Sequence, residues 1–151
     1  MNRYMLIDSG PLGIASNPRA SAEAMDCRNW ISSLLRAGAA VVVPEICDYE
    51  VRRELLRSRK MDGVRRLDLL KSSLIYLPLT TNTMLRAAQF WAEARNRGRP
   101  TAGDAALDCD MILAAQAHEL SSGGDDVLIA TTNVRHLHLF ATARHWREIG
   151  R

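Results

Sequence analysis

The chain has 151 residues, of which 47% are hydrophobic and 25% charged, with a net charge of +3. That length predicts one domain over residues 1–151 with a core that needs no staples, and the balance excludes a long disordered tail or a collagen-like chain. No apolar run approaches the roughly 18 residues of a membrane span, and the run behind Met1–Tyr4 reads as too short for a signal peptide. Cys27, Cys47 and Cys109 are far apart and form no CxxC pair, so neither a disulfide framework nor a zinc knuckle is suggested and a reduced, cytoplasmic protein is expected.

In chain order, Tyr4–Ile7 is a short apolar run closed by Asp8-Ser9-Gly10-Pro11 and reads as a buried strand followed by a turn. Residues 21–37 read as a helix capped by Ser21 and stopped by Gly38. Ala39–Val43 is a second strand, closed by Pro44. Helical spacing then predicts a helix over 45–60 and another over 61–72. Leu74–Leu77 is a third strand before Pro78. A helix over 80–97 starts at Thr80 or Thr81 and is stopped by Gly98 and Pro100. The next helix covers 104–121 and ends at Gly123-Gly124. Val127–Ala130 is a fourth strand, Asn133 or Thr132 can start a helical stretch to Phe140, and Trp146–Ile149 is a short fifth strand. Apolar strands alternating with helices belong to a parallel sheet covered on both faces. In such sheets ligands bind beyond the carboxyl ends of the strands, so the polar residues found there are the candidates.

Asp8 follows the first strand, with Ser9 beside it; it can cap the turn or face the crevice. The helix after the second strand carries Glu45 and Asp48 in its first turn, where the helix dipole favours acids. Glu50 lies further in, without that explanation, although Glu50 and Glu54 are i,i+4 and one of them can pair with Arg53 or Arg57 on the surface. The helix at 104–121 opens with Asp104, Asp108 and Asp110. Asp110 heads the nearly all-apolar run Met111–Ala117, so its carboxyl needs a partner, a cation or an open crevice. Asp104 fits a first-turn dipole role. The fourth strand ends in Ala130-Thr131-Thr132-Asn133. Carboxylates with oxygen-only neighbours are the hard donor set for Mg²⁺ or Mn²⁺ and suit metal-assisted phosphodiester hydrolysis. Eighteen of the twenty bases are arginine, and residues 52–71 hold eight bases against three acids. Arginine forks match phosphates, and the bland alternative is a solvated helical face. His136, His138 and His145 lack neighbouring cysteines for a zinc site. No glycine-rich nucleotide loop occurs.

The strings Leu6-Ile7-Asp8-Ser9, Pro44 to Leu55, Asp110 to Ala117 and Ala130-Thr131-Thr132-Asn133 resemble, in order, those of PIN-domain ribonucleases, most closely the VapC-type toxins of toxin–antitoxin pairs. The resemblance implies a PIN-like three-layer α/β sandwich whose central parallel sheet has the order 3-2-1-4-5. It implies Mg²⁺-dependent (or Mn²⁺-dependent) endoribonuclease activity on RNA, an antitoxin partner and a homodimer. The catalytic positions fall on Asp8, Glu50, Asp110 and Asn133, the first three as metal ligands. Ser9, Thr132 and Asp108 are supporting residues, with Thr131 as the alternative hydroxyl and Asp104 as the alternative acid. Arg52 and Arg53 are the expected RNA contacts. The competing reading is a non-catalytic PIN-fold module that binds RNA or protein. Asp8-Ser9-Gly10 also resembles the opening of haloacid-dehalogenase phosphatases, with Gly10 where their second Asp is needed.

Overall fold

The computed structural model describes residues 3–97, 104–134 and 137–150, with the backbone alone at 104–106. Gly98, Pro100, His136 and the side chain of Asp104 lie outside the described residues. Five strands, β1 (Arg3–Ile7), β2 (Ala40–Pro44), β3 (Ile75–Leu77), β4 (Asp126–Thr131) and β5 (Ala143–His145), form one sheet of order β3-β2-β1-β4-β5. Every neighbouring pair is parallel, with Leu6 opposite Val42 on one side and Ile129 on the other.

The helices are α1 (Ser9–Ser16), α2 (Ala22–Arg36), α3 (Glu45–Arg57), α4 (Met61–Ser73), α5 (Thr81–Asn96) and α6 (Asp104–Ser121). The chain steps one way from β1 to β3 and then crosses back to β4. Right-handed crossovers therefore set α1–α4 on one face of the sheet and α5–α6 on the other. This reversal makes the junction of β1 and β4 the topological switch point, where the crevice of an open parallel sheet lies.

The central strands are apolar on both faces because both faces are covered. Met5, Leu6, Ile7, Val41, Val42, Val43, Ile129 and Ala130 are all buried. Trp30 of α2 packs on Trp146 at 5.6 Å between ring centroids. Phe90 and Ala94 of α5 meet Leu107, Met111 and Ala115 of α6 in a second cluster. Gly38 takes φ +83°, the left-handed turn that ends α2. Among the described residues no helix is long and apolar enough to cross a membrane.

Four expectations change. Residues 9–16 form a helix rather than only a turn: Asp8 caps it, and Pro11 falls in the first turn, where a missing N–H costs no helical hydrogen bond. The fifth strand is Ala143–His145, and Trp146–Glu148 is a 3₁₀ turn that inserts Trp146 into the core. The stretch toward Phe140 forms only a 3₁₀ turn at Leu137–Leu139. The helix expected over 45–60 stops at Arg57, and Arg59 turns the chain with φ +56°.

Candidate metal centre

The last residue pair of β1 and β4, Ile7 and Ala130, fixes what stands at the switch point. Asp8 follows Ile7, and its backbone N–H donates to the Ala130 carbonyl at 2.9 Å. Its carboxylate is 7% exposed and held at both oxygens. Oδ1 accepts the Ser9 N–H at 2.7 Å, which caps α1, and Oδ2 accepts the Thr131 hydroxyl at 2.7 Å. Asp8 thus does both things that the sequence left open: it caps a helix and faces the crevice. Thr131 is locked in turn by the Asn133 N–H, which donates to its Oγ1 at 3.0 Å.

Glu50 reaches the same point from the second turn of α3. Its carboxyl is pushed up to about 7, chiefly by burial and then by the charge of Asp8. Arg53 and hydrogen bonds from Cys109 and Ser9 oppose that rise. Ser9 therefore touches two acids, Asp8 with its N–H and Glu50 with its side chain. Asp110 arrives from α6. Burial pushes its carboxyl up to about 7 as well, reinforced by the charges of Asp8 and Glu50. Three chain segments thus deliver three carboxyls that feel one another in a partly dehydrated crevice.

Cys47 is a member of the cluster that the sequence did not point to. It sits one turn before Glu50 on the same side of α3, is fully buried, and directs its sulfur to Asp8 Oδ1 at 3.7 Å. One donor atom each from Asp8, Cys47 and Glu50 lies within 4.8 Å of the others. Like charges packed this closely raise each other's pKa, and a divalent cation removes that repulsion. The oxygen-rich donor set fits Mg²⁺ or Mn²⁺.

No protein-family model matches the sequence, and no curated protein matches it. Solved structures do. A chain of VapBC2 from Rickettsia felis, bound to a DNA fragment from their promoter, is similar with a TM-score of 0.72 at 14% identity, covering 95% of this chain and 98% of that one. A chain of DNA-bound VapBC from Salmonella typhimurium matches with a TM-score of 0.63 at 20% identity, over 97% of this chain and 99% of that one. A chain of VapBC-1 from nontypeable Haemophilus influenzae gives 0.64 at 17% identity, over 97% and 99%. The fold is PIN-like. Both the three-layer α/β architecture and the strand order 3-2-1-4-5 agree with the expectation from sequence.

Within this PIN-like fold the other candidates are placed as follows. Thr131, not Thr132, holds Asp8. Thr132 instead packs on Gly10, where an added Cβ would stand 2.8 Å from Thr132 Cγ2, so α1 can approach β4 only with glycine there. Asn133 is exposed at the same strand end, its N–H turned back on Thr131. Asp108, exposed and two residues from Asp110 on α6, lies on a different side of the helix. It rims an apolar groove lined by Met84, Ala87, Trp91 and Met111.

The acids at the head of α3 are internal tethers. Glu45 accepts the Leu79 N–H at 2.7 Å, and buried Asp48 binds Lys71 Nζ at 2.8 Å and Arg52 Nη2 at 3.0 Å. Arg52 also donates to Asp68 at 2.6 Å, so its guanidinium bridges α3 to α4. Arg53 is exposed, stacked over the Tyr49 ring at 5.0 Å, on the helix that carries Glu50. Much of the basic stretch is paired locally: Arg57 with Glu54 and Arg65 with Asp62.

Proposed function

We propose that this chain is a Mg²⁺-dependent (or Mn²⁺-dependent) endoribonuclease, the VapC-type toxin of a toxin–antitoxin pair. The observation that carries the reading is the convergence of Asp8, Glu50 and Asp110 at the switch point, where burial and then the charge of Asp8 push the Glu50 and Asp110 carboxyls up to about 7, with Glu50 adding to the rise at Asp110. Support also comes from the PIN-like fold shared with chains of VapBC complexes. Asp8, Glu50 and Asp110 would hold the ion. Its contribution is to polarise the phosphodiester and to acidify the attacking water.

The protein's own groups do the rest. Thr131 and the Ser9 N–H fix both oxygens of Asp8, so its carboxylate cannot swing away from the crevice. Ser9 and Cys109 orient Glu50. Asn133 stands at the mouth, where its amide orients water or phosphate. Arg53 is the phosphate contact on the rim, and Arg52 supports the helix beneath it. RNA as substrate, an antitoxin protein as partner, a homodimer and cytoplasmic residence all belong to this proposal. A second reading, a non-catalytic PIN-fold binding module, is favoured by one residue only: the neutral Asn133 at the fourth polar position.

The test is cleavage of an end-labelled single-stranded RNA by purified protein with Mg²⁺, with Mn²⁺ and with EDTA. Cleavage in either metal, lost in EDTA and reduced by roughly 100-fold or more in Asp110→Asn, is the expected result, since ligands matter at least as much as their outer-shell partners. Cleavage by Asp110→Asn at the wild-type rate would sink the assignment. RNA binding without cleavage in either metal would select the second reading.

A further inference from the structure

Cys47 is a soft donor inside a hard-donor centre, and nothing in phosphodiester hydrolysis asks for it. We infer that Cys47, together with Asp8 and Glu50, makes this centre a competing site for a thiophilic divalent cation, Zn²⁺ or Cd²⁺, which would displace Mg²⁺ and hold the enzyme inactive. The inference rests on the proposed nuclease reading for its consequence, inhibition, and on the positions of three side chains for the site itself.

The geometry fits a sulfur–oxygen site. Two donors on one ion can be no further apart than the sum of their bonds, about 4.5 Å for Zn–S of about 2.3 Å and Zn–O of about 2.2 Å. A tetrahedral centre with such bonds sets neighbouring donors roughly 3.6 Å apart. Cys47 Sγ lies 3.7 Å from Asp8 Oδ1, at the tetrahedral spacing, and the Glu50 donor lies within 4.8 Å of both, so its carboxylate needs to close by no more than a few tenths of an ångström to share the ion. Two elements hold the three there. Asp8 is fixed by Thr131 and Ser9, while Cys47 and Glu50 are one turn apart on α3. The sulfur is fully buried beside the Asp8 carboxylate and the Ser9 N–H, and no disulfide sequesters it; burial and the charges of Asp8 and Glu50 hold its thiol well above the usual range, so it ionises only on a cation that binds sulfur strongly.

The chemistry then separates the two cations. Mg²⁺ takes oxygen and leaves a thiol alone, whereas thiolate sulfur favours Zn²⁺ and its heavier analogue. On Mg²⁺ or Mn²⁺ the donors are carboxylates, Asp110 included, and Cys47 stays protonated. On Zn²⁺ or Cd²⁺ the Cys47 S–H bond breaks, the sulfur–metal bond forms from the sulfur pair, and the proton leaves to water. No electron is transferred, and the step is reversed by a chelator.

The experiment uses the whole chain and Cd²⁺ as probe, because a Cd–thiolate bond gives an ultraviolet charge-transfer band. Wild-type protein should develop the band and saturate at one equivalent. Cys27→Ser, which removes a thiol bonded to the Pro11 carbonyl outside the centre, should keep it. Folded Cys47→Ser should lose it, with at least about tenfold weaker Cd²⁺ binding while Mn²⁺, followed by its paramagnetic resonance, still binds. A ¹¹³Cd resonance of the wild-type complex in the range of mixed sulfur and oxygen coordination supplies the same answer if Cys47→Ser fails to fold. A wild-type protein that binds Mn²⁺ but gives no thiolate band, or a band that persists in Cys47→Ser, overturns the inference and leaves the nuclease reading standing. Failure to bind either cation overturns both.

Discussion

At the scale of single residues, Thr131 is the side chain whose role is clearest in the structure and faintest in the sequence. It reaches Asp8 across 123 positions of chain, a contact that only the β1–β4 pairing creates. Neither its type nor its spacing separates it from Thr132 next door. Cys47 is hidden for the same reason: a buried cysteine on an apolar helix face looks like core until the strand end beside it is known. The acids were easier to read, because a carboxylate directly after an apolar strand, or at the head of an apolar helix, needs an explanation. Thr131→Val tests the residue scale. It leaves one oxygen of buried Asp8 without its partner, so unfolding measurements should show about 1–3 kcal/mol lost, and the cleavage rate should fall roughly 10–100-fold. Thr132→Val keeps Asp8's bond, so its rate should stay within a few-fold of wild type.

At the scale of elements, α3 does two jobs with two neighbouring arginines. Arg52 lies between Asp48 and Asp68 and ties α3 to α4, while Arg53 stands exposed beside Glu50. Charge alone made both look like phosphate contacts, since a sequence does not show which guanidinium is already spent on carboxylates. The two variants should therefore differ. Arg52→Ala leaves buried Asp48 with Lys71 alone and should destabilise by about 1–3 kcal/mol, read by denaturant unfolding. Arg53→Ala should leave stability within about 0.5 kcal/mol and flatten the salt dependence of RNA binding by about 0.7 per lost contact, measured in Ca²⁺ to suppress cleavage. Equal slopes for wild type and Arg53→Ala would remove this helix from the RNA surface. Strand positions were legible because β1, β2 and β4 are unbroken apolar runs. Helix α1 was not, because Gly10-Pro11 signals a turn unless the Asp8 cap is seen in place. β5 was displaced by three residues, because Ala143–His145 is an edge strand with no apolar run, and Trp146 carries the hydrophobic signal instead.

At the scale of the whole molecule, the sheet concentrates negative charge where β1 and β4 part, and the fold bears that cost in the absence of a cation. The sequence foretold the strand order through its resemblance and singled out the acids by their places, but it did not show how strongly the three carboxyls act on one another, which depends on distances across the sheet. The sign of the pH effect follows from that coupling. Glu50 and Asp110 titrate near 7 in the folded chain against 4.5 and 3.8 for the unhindered groups. Their protonation therefore favours the folded state at low pH, and that contribution disappears as pH rises from the ordinary carboxyl range through about 7. The measurement that tests the shared centre most directly is the melting temperature at pH 5 and pH 8, in EDTA and in Mg²⁺ or Mn²⁺, for wild type and for Glu50→Gln/Asp110→Asn. In EDTA the wild type should lose more stability between pH 5 and pH 8 than the double variant does. The metal should restore it at pH 8, far less at pH 5 where protons compete, and hardly at all in the double variant. A wild type that tracks the double variant at both pH values, and gains nothing from either metal at pH 8, would contradict a cation centre built from these carboxylates.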